Sequence, residues 1–180
     1  MGAVRPVQPG KLFVGLLSGD ERLFDDAGQA LQSDFGALDL ISPVWPFTAS
    51  DYYRDELGDR VLRRFLFFED LIDIERLPDI KTRTNRIERD FCDRMHRPRD
   101  RRPVNIDPGY MTLSKLALAT TKDYSHRLYL REGIYAEVTL RYHGGRWQPW
   151  PWTYADYAAD TYVAFFAEAR DRLRQQLAGA

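Results

Sequence analysis

Between Lys11 and Leu17 the chain reads Lys-Leu-Phe-Val-Gly-Leu-Leu, an almost uninterrupted apolar run of strand length. A strand with one wet face alternates apolar and polar residues, whereas a continuous run belongs to a central strand covered on both sides. Whatever this chain folds into must therefore enclose a sheet. The residues that follow agree. Asp20 stands where a helix cap belongs, Leu23, Phe24, Ala27, Leu31 and Phe35 keep helical spacing, and Gly36 occupies the C-terminal cap position. Residues 1–10 have no period and read as a loose arm before a single domain over 11–180.

Further strands are expected at Leu38 to Phe47, where Pro43 and Pro46 confine the far end to an edge, and at Val61 to Phe68. Arg63 and Arg64 lie side by side in the second of these, so they face opposite ways. One of the two must point to the drier face and want a partner. Ile80, Thr84, Ile87, Phe91 and Met95 form a helix stripe. Val104 to Ile106 reads as a short strand running into a turn at Asp107-Pro108-Gly109. The pattern at 112–121 fits a helix capped by Thr112 as well as a strand. His126 to Arg131 and Ile134 to His143 alternate around Glu132-Gly133, a hairpin signal, with Ile134, Ala136, Val138 and Leu140 on one face. An irregular aromatic stretch carries Trp147, Trp150 and Trp152, and a last helix starts near Asp156. The expected class is α+β, a mainly antiparallel sheet in ferredoxin-like βαββαβ order, extended by the hairpin and the C-terminal helix.

Composition narrows the function. With 180 residues, 44% apolar and 13% aromatic, one well-filled core is expected, burying roughly 70% of the unfolded chain's surface. A net charge of -1 argues against a general coating of nucleic acid or membrane. The single Cys92 permits no internal disulfide and is expected to be a buried thiol. Neither a signal peptide nor an apolar run of membrane length is visible, so a soluble cytoplasmic protein is expected. The phosphate-binding pattern Gly-x4-Gly-Lys-Ser/Thr is absent, as are Gly-x-Gly-x-x-Gly and Gly-x-Ser-x-Gly. His96, His126 and His143 have no zinc-ligand spacing.

Several segments do resemble one prokaryotic family: Lys-Leu-Phe-Val-Gly-Leu-Leu at 11–17, Arg-Arg-Phe at 63–65, Val-Asn-Ile-Asp-Pro-Gly-Tyr at 104–110, Ala-Thr-Thr-Lys-Asp-Tyr-Ser-His-Arg at 119–127, Gly-Ile-Tyr-Ala-Glu-Val-Thr-Leu at 133–140 and Pro-Trp-Thr-Tyr at 151–154. On these the chain is identified as a member of domain-of-unknown-function family 4416. The resemblance implies no reaction or ligand. It implies a shared polar set of Asp107, Lys122, Asp123, His126, Arg127 and Glu137.

That set, with Arg64, suggests a pocket for an anionic small molecule such as a nucleotide or sugar phosphate. Lys122, Arg127 and Arg64 would hold the anion, with Asp123 among the ligand-binding residues. Asp107, His126 and Glu137 are the candidates for acid–base work, and a carboxylate there could hold a divalent metal such as Mg. A structural role for each is the competing reading: a turn hydrogen bond for Asp107, a cross-strand pair for Glu137. RNA is the alternative partner, because residues 81–102 carry nine Lys or Arg against four Asp or Glu. A third reading is an interaction module built on the Trp-Pro segment.

Overall fold

A computed structural model describes residues 2–179, which leaves out only the first residue of the expected arm and the last of the expected domain. The elements are β1 (Gly10–Ser18), α1 (Arg22–Phe35), β2 (Leu38–Ile41), β3 (Trp45–Pro46), α2 (Arg54–Leu57), β4 (Leu62–Ile72), α3 (Leu77–Arg94), β5 (Val104–Met111), β6 (Lys115–Thr120), β7 (Leu128–Arg131), β8 (Ile134–His143), β9 (Arg146–Pro149) and α4 (Asp160–Ala178). The fold is α+β. One antiparallel sheet runs in the order β2-β4-β1-β5-β6-β8-β7, with β3 also on β4 and β9 also on β8.

Every residue of β1 is buried, as its apolar run requires. Alternation divides it between two cores. Leu12, Val14 and Leu16 pack with Leu66 and Phe68 of β4 against α1 and α3. Phe13 faces the other way and joins Phe65, Phe67 and the α4 residues Tyr162, Phe165, Phe166, Ala169 and Leu173. Helices therefore cover both faces of this part of the sheet. Lys11 completes the seal: its buried ammonium donates to Asp39 of β2, to the Phe68 carbonyl of β4 and to Gln176 of α4. Asp20 accepts from the Arg22 amide at the start of α1, and Gly36 ends that helix at φ +93°.

Three local expectations change, and one open choice is settled. Asp107-Pro108-Gly109 is not a turn but the middle of β5. A Cβ at Gly109 would lie 2.3 Å from the Ala117 carbonyl oxygen and 2.5 Å from the Phe13 ring, so this glycine serves close packing and not chain reversal. The ambiguous stretch 112–121 is a strand, β6, entered through a tight turn in which the Thr112 amide donates to the Lys115 carbonyl. The hairpin at Glu132-Gly133 is present, with φ of 53° and 75° at its two turn residues. Its second strand, however, does not keep one apolar face. The register slips between Leu116↔Leu140 and Ala117↔Val138, leaving Thr139 as the extra residue. Ile134 consequently packs beside Leu77, while Leu140 joins the α4 core. Finally, α4 begins at Asp160 and not at Asp156, and Trp147 lies on a strand, β9, with its side chain in the α4 core.

Candidate functional site

The sheet opens at one place. β5 and β6 pair only over Gly109–Met111 and Leu116–Leu118. Beyond that point Val104 to Pro108 stay on β1, while Ala119 and Thr120 follow β8. The gap leaves half of β5 without a neighbour on one side, and α3 supplies one from its side chains. Glu88 Oε1 accepts the Ile106 N–H at 2.6 Å, and Lys81 Nζ donates to the Ile106 carbonyl at 3.2 Å. A buried backbone pair is thus satisfied without a strand. Lys81 Nζ also reaches Asp107 Oδ1 at 3.2 Å, and Asn105 donates to Asp107 Oδ2 at 2.6 Å.

Between the parted strands lies a cavity of about 900 Å³. Its walls come from α3, from the 47–56 segment, from the loop after β6 and from the 152–157 segment that leads into α4. That volume sits within the usual range for small-molecule sites, roughly 300–1,000 Å³. Asp107 faces it with its pKa below the ordinary carboxylate value: burial works against ionisation, but the charges of Lys81 and Arg63 outweigh it. Glu88 has moved the other way, raised by burial in spite of Lys81 and Arg102. Arg102 joins Glu88 to Glu56 of α2.

Arg63 is the most unusual group in the wall. It is 4% exposed, and its Nη2 donates to Asp156 Oδ2 at 2.7 Å. Its Nε and Nη1 have no partner, and neither has the buried Tyr157 hydroxyl. The guanidinium lies over Phe47, Phe65 and Tyr157. Gly15 of β1 makes room beneath it, since a Cβ there would come within 3.1 Å of both Arg63 Nη1 and the Tyr157 oxygen. Buried polar groups almost always find partners, so these orphaned atoms set Arg63 and Tyr157 apart from the rest of the wall.

On the opposite wall Glu137 is 3% exposed and accepts from Arg127 Nε at 2.8 Å and from Thr139. His126 Nε2 sits 3.2 Å from the same carboxylate. With Nε2 protonated, the imidazole donates to Glu137 and leaves Nδ1 as a hydrogen-bond acceptor. Arg127 further donates to the Lys122 carbonyl and to the Tyr154 hydroxyl, whose pKa is pushed up to about 12 by burial and by Glu137. Lys122 spans the mouth to the Tyr52 hydroxyl at 2.8 Å.

Of the seven residues singled out from sequence, Asp107, Lys122, His126, Arg127 and Glu137 line the cavity. Two do not. Asp123 is exposed on the loop outside the lining. Arg64 points to the opposite face of the sheet and pairs with Asp25 of α1 at 2.9 Å. Of the two adjacent arginines it is Arg63 that reaches the cavity. In Leu-Arg-Arg-Phe-Leu-Phe-Phe both phases of the strand are apolar, so alternation could not choose between them. Lys81 and Glu88 were also missed, although they fall at helical spacing with the buried Thr84 and mark polar positions on the covered side of α3.

No group of three or more His, Cys, Asp or Glu able to hold a metal occurs among the described residues. Asp107 and Glu137 spend oxygens on protein cations instead. The basic segment is likewise engaged in part: Lys81 with Asp107, Arg83 with Asp34, Arg99 with Asp93, Arg102 with Glu56 and Glu88. No described helix is long and apolar enough to cross a membrane.

A family model described as Domain of unknown function (DUF4416) matches residues 8–173. The chain belongs to that family. Within the DUF4416 match fall both walls of the cavity, from Phe47 to Tyr157. No curated protein and no solved structure matches the chain.

Proposed function

We propose that this protein binds a small anionic metabolite in the cavity between β5 and β6. The observation that carries the reading is Arg63: a buried, charged guanidinium with two unpartnered nitrogens beside an unpartnered tyrosine hydroxyl. Burying such donors unsatisfied costs about 1–3 kcal/mol each, a cost that an anion in the cavity would offset. Lys122 and Arg127 stand farther out as secondary cations. A divalent ion in this site would arrive with the ligand's own oxygens, as Mg²⁺ commonly does with phosphates, because the carboxylates present form no cage. His126, oriented by Glu137, is the group we assign to proton transfer should the bound molecule be turned over. The strand order β2-β4-β1-β5, with α1 and α3 on one face, supports a ferredoxin-like reading of the first half, to which β6–β9 and α4 are added.

The test is thermal stability in the presence of inorganic phosphate, nucleotides and sugar phosphates, each with and without magnesium. A compound present at a hundred times its dissociation constant adds about 2.7 kcal/mol, a visible shift in Tm. The expected result is a shift in the wild type that Lys122→Ala reduces. If no anion in the set moves the wild type, the reading fails.

A further inference from the structure

We propose that the ligand is a phosphorylated sugar or a similar polyhydroxylated phosphate, and not a nucleotide; this rests on the anion-binding reading above. The argument comes from the aromatic residues of the cavity. A nucleobase is held chiefly by stacking on a free ring face, and here most rings already have a face engaged. His126 is stacked between Tyr124, at 6.1 Å and 9°, and Trp152, at 5.4 Å and 16°. Trp152 is covered on its far side by Trp150, at 5.2 Å and 5°. Tyr124 carries the Arg127 guanidinium 4.6 Å from its ring centre. Tyr157 lies against Phe166 at 23°, with Arg63 over its ring. Tyr52 carries Lys122, Phe47 carries Arg63, and Tyr53 is wedged at steep angles to both of those rings. Most of these rings thus already stack on a neighbour or carry a cation.

What the cavity does offer is hydrogen bonding of both polarities. Two nitrogens of Arg63 are unpartnered, and the unpartnered Tyr157 hydroxyl can donate or accept. Asp107 accepts one hydrogen bond on each oxygen, from Lys81 and Asn105, and a carboxylate has about four acceptor positions in all. Thr120, Thr121 and Tyr53 add further hydroxyls to the lining. Mixed donors and acceptors at short range, with the buried Arg63 among them, match a chain or ring of hydroxyls ending in an anion. The phosphate falls to Arg63 and Tyr157, and the hydroxyls fall to Asp107 and its neighbours.

Ribose 5-phosphate and AMP share the sugar and the phosphate and differ by the base, so comparing them isolates the stacking question. Calorimetric titration of the full chain with inorganic phosphate, ribose 5-phosphate, a hexose 6-phosphate and AMP decides it. The expected result is one sugar phosphate at least about tenfold tighter than inorganic phosphate, with AMP no tighter than ribose 5-phosphate. Tyr157→Phe, which removes only an unpartnered hydroxyl, should melt no lower than the wild type and weaken every phosphate-bearing probe. AMP binding more tightly than either sugar phosphate would overturn the proposed class while leaving the anion reading intact. Equal affinity for all four would do the same, since only the phosphate would then be recognised. Absence of binding by all four, inorganic phosphate included, would remove the anion reading and the class together.

Discussion

The buried Arg63–Asp156 pair invites a double-variant experiment. Both side chains are under 10% exposed, at 4% and 8%, and a single contact of 2.7 Å joins them. Asp156→Ala alone strands the guanidinium without the carboxylate it donates to, a change that costs about 3–5 kcal/mol for buried pairs. For a chain of this length about 1 kcal/mol moves Tm by roughly 2–4 °C, so the single variant should melt roughly 6–20 °C lower. Arg63→Met with Asp156→Ala removes the charge along with both orphaned donors, which cost about 1–3 kcal/mol each in the wild type. The loss of the guanidinium over Phe47, Phe65 and Tyr157 works the other way, at about 0.5–2 kcal/mol per contact. These opposing contributions are of similar size, so the double variant should recover most of the stability lost by Asp156→Ala. It should also lose any stabilisation by phosphate. Urea denaturation of the four proteins of the cycle measures this directly. A double variant as unstable as Asp156→Ala would show that the unpartnered donors cost nothing, and the reason for placing an anion at Arg63 would go with them.

Other outcomes follow from single contacts. Gly109→Ala should cost about 1–3 kcal/mol or more, read as a lower urea midpoint, because its Cβ would meet the Ala117 carbonyl at 2.3 Å and the Phe13 ring at 2.5 Å; an unchanged midpoint would mean that β5 shifts freely. Asp107 has a depressed pKa in the fold, so its stabilisation is present above the ordinary carboxylate value and is lost as pH falls through the folded value. Asp107→Asn should therefore flatten the acid limb of a stability–pH curve, and a limb as steep as the wild type's would contradict the assignment. Lys122→Ala removes an exposed contact to Tyr52 and should change stability by less than about 1 kcal/mol in denaturant titrations.

The local code was legible wherever one residue type answered one local demand. The apolar run at Lys11 to Leu17 specified a doubly covered strand, Glu132-Gly133 a hairpin with two positive φ values, and Gly36 a helix end. Asp107-Pro108-Gly109 misled because the same residues suit a turn and a strand crossed closely by Phe13; composition cannot see a ring arriving from the far-off β1. The slip at Thr139 was hidden for a related reason. A bulge depends on the partner strand's register, and it sent Leu140 to a different core from Ile134.

The site divides in the same way. Sequence alone determined a covered antiparallel sheet and a polar set around the hairpin, because periodicity and turn chemistry act over a few residues. Only the tertiary structure decided that β5 and β6 part company and that Lys81 and Glu88 of α3 fill in for the missing strand. It also decided that Arg63, and not Arg64, enters the opening. Those choices depend on how distant segments share a limited interior. In a strand apolar in both phases, neither arginine's direction is written in its neighbours; it is set by whichever face holds a carboxylate and a space, Asp25 of α1 for Arg64 and Asp156 with the room above Gly15 for Arg63.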